Sequence, residues 1–286
     1  MSQALRVGFI GLGNIGTPMA QHLAASGVDL TIWARRPDAL EPFGPEVTRA
    51  ATPAELGRRS DVVGICVFDA DAVTDVIFGA DGLIEGLAPG SVVLLHSTVP
   101  PDAAIALGER CAEHGVMVVD APISGGAPVA ALGELTIMVG GEAAAIERAR
   151  PVIDILGANV FLLGGLGAGQ RTKLLNNTML TAQLGLVESL CALAVELDVD
   201  PVVLLQTVAV SSGRSFAVEM YARAGGSAVF RAPGPASNAL TKDVGILSGI
   251  AQHDYDVIRV AREFLDSVET PGAAGHDGGS TSKGSA

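Results

Sequence analysis

An apolar run at residues 6–10 leads without a break into Gly11-Leu12-Gly13-Asn14-Ile15-Gly16, and a segment of helical composition at 15–26 follows. This junction limits the fold more than any other feature of the chain. The first glycine permits a tight turn from strand to helix. The second lets a pyrophosphate approach the backbone, and the third lets helix and strand pack closely. The start of the helix then offers unbonded N–H groups and the positive end of its dipole to the phosphates. The pattern alone is weak, and its strand–turn–helix setting gives it weight. The competing reading is a glycine-rich turn that holds no ligand.

Further apolar runs at 30–33, 62–67, 92–95 and 116–119 are short and rich in Val, Ile and Leu. Strands covered on both faces of a parallel sheet have this composition. Helical segments at 53–60, 70–78 and 102–114 lie between them, and strands at 135–139 and 159–162 flank a helix at 142–156. The alternation predicts an α/β fold, a Rossmann-type doubly wound sheet over residues 1–164. Gly164-Gly-Leu-Gly-Ala-Gly169 marks a boundary. Beyond it the pattern is helical only, at 170–197, 201–210, 215–223, 238–253 and 255–268, which predicts an all-α domain over 165–270. The first of these helices would run about 40 Å at ~1.5 Å per residue. Residues 271–286, rich in Gly, Ser and Ala without periodicity, predict a disordered tail.

The chain has 286 residues, 49% of them hydrophobic, enough for two domains with a large core. Its net charge of −13 argues against nucleic acid and anionic membrane as partners. Cys66, Cys111 and Cys191 are far apart and lack metal-ligand spacing, so no metal is expected and the thiols read as small hydrophobes in a reducing compartment. The N-terminal residues enter a strand with no signal peptide, and a cytoplasmic location is expected. The apolar stretch 174–197 contains Asn176, Asn177, Gln183 and Glu188. These suit a buried helix of a soluble protein better than a bilayer span.

Cofactor choice is read about twenty residues after the glycines, where an acidic residue usually binds the ribose 2′-OH of NAD. Here stand Ala34, Arg35 and Arg36. Two guanidinium groups suit a 2′-phosphate, so NADP is favoured. Asp38 nearby leaves NAD open, and Arg36 also reads as a solvated loop residue.

Ser124, Gly125 and Gly126 lie beyond the carboxyl end of a strand, where ligands of open α/β sheets bind. A hydroxyl and two glycine amides can meet a small carboxylate, or the serine can simply cap its own loop. Only three lysines occur, Lys173, Lys242 and Lys283, against fifteen arginines (18 minus 3). Lys173 and Asn177 are four apart and share a helix face, with Asn176 adjacent. Apolar surroundings lower a lysine's pKa and suit it to proton transfer, which arginine cannot perform. The alternative is a solvated first helical turn. Lys242 and Asp243 read either as a second cation near a site or as an exposed pair, and Lys283 lies in the tail.

The motifs Gly8–Gly16, Ser97-Thr98-Val-Pro100, Asp120-Ala-Pro-Ile-Ser-Gly-Gly126, Gly167-Ala-Gly-Gln-Arg-Thr-Lys-Leu-Leu-Asn-Asn177 and Lys242-Asp243 follow one another in a familiar order. Together they resemble the β-hydroxyacid dehydrogenases. The resemblance implies an NAD(P)-dependent enzyme that interconverts a short β-hydroxy acid and its semialdehyde or keto acid. It implies Lys173 as acid/base, Asn177 as a substrate-orienting group, and Ser124, Gly125 and Gly126 as carboxylate binders. By the same likeness Thr98 and the Cys66-Val67-Phe68 strand end line the nicotinamide side, and Lys242 closes over the cofactor. Three departures stand out: Ala34 in place of a polar residue, His96 in place of an acidic or small one, and Ala127-Pro-Val-Ala-Ala131 in place of a glycine-containing segment. Imine reductases share the fold but usually lack the lysine, and a cofactor-binding interaction protein would lose it too. A long helix in the second domain points to a homodimer or homotetramer.

Overall fold

The computed structural model describes residues 5–226 and 234–269. The expected tail at 271–286, with Lys283, lies outside the described residues. Two compact units divide the chain, residues 1–176 and 177–286. The division falls inside the helix Ala168–Glu196, so the start of that helix belongs with the first unit.

In the first unit six parallel strands pair in the order β3-β2-β1-β4-β5-β6: β1 Arg6–Ile10, β2 Asp29–Trp33, β3 Thr48–Arg49, β4 Val62–Ile65, β5 Val92–Leu95 and β6 Met117–Asp120. This is the doubly wound order. Alternate strand residues point to opposite faces, and the two faces have separate cores. Val7, Phe9, Val62, Val92 and Leu94 pack with Met19 and Leu23 of α1 (Gly16–Ala25) and with Val152 and Ile153 of α6 (Ala143–Leu156). Ile10, Val63, Ile65, Val93 and Leu95 pack with residues of α2 (Pro53–Arg58), α3 (Ala70–Phe78) and α4 (Pro101–Ala112). Continuous apolar runs follow directly from this two-sided burial.

Three features were not anticipated. Thr48–Arg49 adds an edge strand beside β2. A small sheet forms from β7 (Ile123–Ser124), β8 (Leu135–Val139) and β9 (Gly157–Leu162), with β7 and β8 antiparallel. The helix α5 (Gly126–Ala131) occupies a stretch whose Gly, Ala and Pro gave no periodicity. The strand expected at 62–67 ends at Ile65, so Cys66, Val67 and Phe68 form a loop.

The second unit is helical: the rest of α7 (Ala168–Glu196), α8 (Pro201–Ala209), α9 (Phe216–Arg223), α10 (Pro235–Ile250) and α11 (Asp256–Glu269). Leu184, Val187, Tyr221, Leu240, Val244 and Phe264 lie in its core, and Tyr221 Oη donates to Glu188 Oε1 at 2.7 Å. The expectation that α7 is a buried helix needs correction. Only a third of its most apolar window is buried, and Met179, Leu186, Leu190 and Leu193 are exposed along one stripe. A helix that is apolar all round does not reveal from sequence which sides are covered.

His96 follows β5 and is buried, stacked on Phe9 with ring centroids 6.2 Å apart. Its Nδ1 lies 2.8 Å from the Ala121 carbonyl, and Nε2 has no hydrogen-bond partner. A carbonyl only accepts, so Nδ1 carries the proton of a neutral ring. Burial pushes the imidazole down to about 4. Between that value and the ordinary 6.5 the unfolded chain binds a proton that the folded chain excludes. Stability is therefore lost as pH falls through this window, by about 3 kcal/mol at pH 4. The variant His96→Gln should lose less stability than wild type between pH 6.5 and 4 in urea titrations. An identical pH dependence in the two proteins would remove this role from His96.

Candidate functional site

The turn after β1 meets the demands of a phosphate-binding loop. Gly11 has φ 101°, and a Cβ there would overlap the Cys66 carbonyl. A Cβ at Gly16 would overlap the Gly11 carbonyl, so helix and turn touch backbone to backbone. Gly13 differs: nothing lies within 4 Å of where its Cβ would be. The space belongs to a ligand or to solvent. Ile15 is the N-cap of α1, offers no side-chain cap, and no acidic residue occupies the first turn. Thr17 N–H is taken by the Gly13 carbonyl at 3.0 Å and Pro18 has no N–H, so the dipole of the helix start and the amides of the turn before it are what suit an anion.

Gly11, Leu12 and Gly13 share a cleft of about 360 Å³ with Ala34, Arg35, Arg36, Val67 and Phe68. It lies at the carboxyl ends of β1, β2 and β4. Asn14 continues the turn, exposed to solvent. Both arginines are exposed at the tip of β2, and Arg36 Nη1 stands 3.9 Å from Asp38 Oδ2. The residues present fit a dinucleotide: open glycine, uncapped helix end, apolar walls and cations where a ribose would end.

The loop at 66–68 is held by its neighbour. Val67 N–H donates to Ser97 Oγ at 2.9 Å, and Thr98 follows directly after Ser97. Ser124 is half-buried and ends β7, paired with Thr136. Gly125 and Gly126 follow with φ 138° and 75°, a backbone course that other residues rarely take. A Cβ at Gly125 would stand 2.7 Å from Val129, a residue within the departing segment noted above. Lys173, half-buried, stands in the second turn of α7 in the first unit.

In the second unit Asn177 is buried and its Nδ2 donates to Asp243 Oδ2 at 2.6 Å. Lys242 Nζ lies 3.5 Å from Asp243 Oδ1, and Asp243 is itself buried. The pair is thus not an exposed one. Charge, carboxylate and carboxamide form one cluster, with the buried acid at its centre.

Three participants were quoted within motifs but given no role from sequence: Asp120, Gln170 and Asp243. Asp120, wholly buried, accepts N–H bonds from Gly167 at 2.9 Å and Gln170 at 2.7 Å. The Gln170 side chain accepts from Val99 N–H and donates to the Ser97 carbonyl, both at 3.0 Å. These contacts join positions some 50 to 70 residues apart, and no local pattern announces them.

Comparison with known proteins places this geometry. The family model described as the NAD binding domain of 6-phosphogluconate dehydrogenase matches residues 6–165. A second, described as NAD-binding of NADP-dependent 3-hydroxyisobutyrate dehydrogenase, matches residues 167–279. The L-threonate dehydrogenase of Cupriavidus necator is 34% identical over 95% of this chain and 92% of its own. The NAD-dependent L-serine dehydrogenase of Pseudomonas aeruginosa is 38% identical over 76% of this chain and 73% of its own. Among solved structures, Psf3 in complex with NADP+ and 2-OPP superposes with a TM-score of 0.81 at 26% identity, covering 91% of this chain and 93% of that one.

Proposed function

The chain belongs to the β-hydroxyacid dehydrogenase family and is an NAD(P)-dependent hydroxyacid dehydrogenase, and from that premise we propose an NADP-preferring enzyme acting on a short β-hydroxy acid through Lys173. The half-buried lysine in the second turn of α7 carries the reading: among the described residues, Lys173 and Lys242 are the two amines able to cycle a proton. The Gly11–Gly16 turn, Arg35 and Arg36 would hold a nicotinamide dinucleotide, which would supply or accept the hydride at the substrate carbon when bound. Lys173 gives a proton to the carbonyl oxygen in reduction and takes it from the hydroxyl in oxidation. Ser124 Oγ and the amides of Gly125 and Gly126 hold the carboxylate, and Asn177, fixed by Asp243, orients the reacting group.

The substrate class is supported by relatives named for L-threonate and L-serine, both small hydroxy acids. Names alone leave the cofactor undecided, since one relative is NAD-dependent and one structural neighbour holds NADP+. The tip of β2 favours NADP: Ala34 cannot bond a ribose hydroxyl, and the neighbouring guanidinium groups can pair with a phosphate. Replacing Arg35 and Arg36 together should raise KM for NADPH at least about tenfold, roughly 1.4 kcal/mol. Equal wild-type use of NADH and NADPH, unchanged in the variant, would reverse the assignment.

Lys173→Ala and Lys173→Arg should each lose roughly a hundredfold or more in kcat, a typical acid–base contribution. Arginine keeps the charge but cannot release a proton, so it separates proton transfer from anion attraction. In the same assay, methyl esters of good substrates should turn over poorly. Near-normal turnover by Lys173→Arg would leave the residue an anion anchor, and equal rates for acid and ester would free Ser124 of its role.

The stripe Met179, Leu186, Leu190 and Leu193 supports self-association as a homodimer or homotetramer, since an apolar patch of this kind marks an interface. Sedimentation equilibrium should give a mass of two or four chains of 28.9 kDa. A single-chain mass at micromolar concentration would refute it.

A further inference from the structure

Asp120 ends β6 with no exposed surface. A carboxylate so placed must recover its lost hydration from fixed donors. It does so at the start of α7, where the first N–H groups of a helix lack intrahelical acceptors and the dipole is positive. Oδ1 takes the Gly167 N–H and Oδ2 the Gln170 N–H. Glycine makes the room: a Cβ at Gly140 would overlap Oδ1, and one at Gly169 would stand 2.8 Å from Oδ2.

The contact continues through the Gln170 side chain. Its Oε1 holds the Val99 N–H and its Nε2 holds the Ser97 carbonyl, while Ser97 Oγ holds the Val67 N–H. One chain of hydrogen bonds therefore runs from β6 through the first turn of α7 to the segments at 97–99 and 67. Lys173 stands three residues past Gln170, one turn up the same side of the helix.

We propose that Asp120 and Gln170 are positioning residues for Lys173: the carboxylate fixes how far along its axis α7 begins, and the carboxamide fixes its rotation against the Thr98 segment. The inference rests on Lys173 as the proton-transfer group. A lysine on a helix whose first turn could slide or turn by an ångström would miss the oxygen it serves, and misplacement on that scale costs up to about a hundredfold in rate.

Asp120→Asn keeps the shape but sets an NH2 against one of two N–H donors. Gln170→Met keeps the length and loses both side-chain bonds. Each should lower kcat at least roughly tenfold. Affinity for NADPH, read by its fluorescence on binding, should stay within about twofold, because neither residue lines the Gly11–Gly13 cleft. In the Lys173→Ala background each should cost less than about twofold further, since the group they place is gone. Without any cofactor, amide hydrogen exchange at Gly167 and Gln170 should quicken in Asp120→Asn.

Full multiplication of the losses in the double variants would overturn the positioning role, as would wild-type kcat in both single variants or unchanged exchange in Asp120→Asn. If Asp120→Asn does not fold, Gln170→Met carries the same cycle. Wild-type turnover by Lys173→Ala is a different failure: it removes the acid–base reading itself.

Discussion

A carboxylate can be stripped of water only where other donors replace it, and the placement of α7 answers that requirement at Asp120. Burial pushes this carboxyl up to about 6, while the N–H groups of Gly167, Gln170 and Gly169 pull it back. The balance needs several donors within one small volume, and the first turn of a helix supplies them without distortion. The backbone of Asp120 is also engaged, bridging to Gly140 in both directions at 2.8 and 2.9 Å. Strand, small sheet and helix thus meet on one residue. Removing its charge leaves unpaired donors at the root of a 29-residue helix.

Around that point the first unit divides its labour by strand parity. Residues facing one way build the core under α1 and α6, residues facing the other build the core under α2, α3 and α4. Most of the polar groups of the site collect beyond the strand ends, outside the two apolar cores. His96, just past the end of β5, is a buried neutral imidazole set against Phe9 and the Ala121 carbonyl. It ties the end of β5 to the chain just before Ser124.

The alternation of apolar runs made the doubly wound sheet legible, since strands covered on both faces have no other common composition. The glycine turn was legible because its spacing and its strand–turn–helix setting are local in the chain. Lys173 stood out as one of only three lysines and local helical spacing set Asn177 on its face, while the roles of both were implied by the family resemblance. Asp120, Gln170 and Asp243 could not be given roles, because what they do depends on partners 47 to 73 residues away. Length hid β7: two residues make a strand only through their pairing with Thr136 and Ile137 of β8, and are too short to show a pattern of their own. The burial of α7 was misjudged for a related reason. Apolar composition says that a surface prefers cover, and does not say whether the same chain provides it.

The three glycines of the first turn carry different information. At positions 11 and 16 any side chain collides with protein backbone, so glycine is demanded by the folding of the polypeptide itself. A descendant that had lost every use for a nucleotide would still have to keep both. At position 13 the protein asks nothing, and a methyl group would meet only empty space. Reading the motif as three equal signs of binding therefore overcounts. Two of its letters report architecture, and only the middle one is left open for something outside the protein.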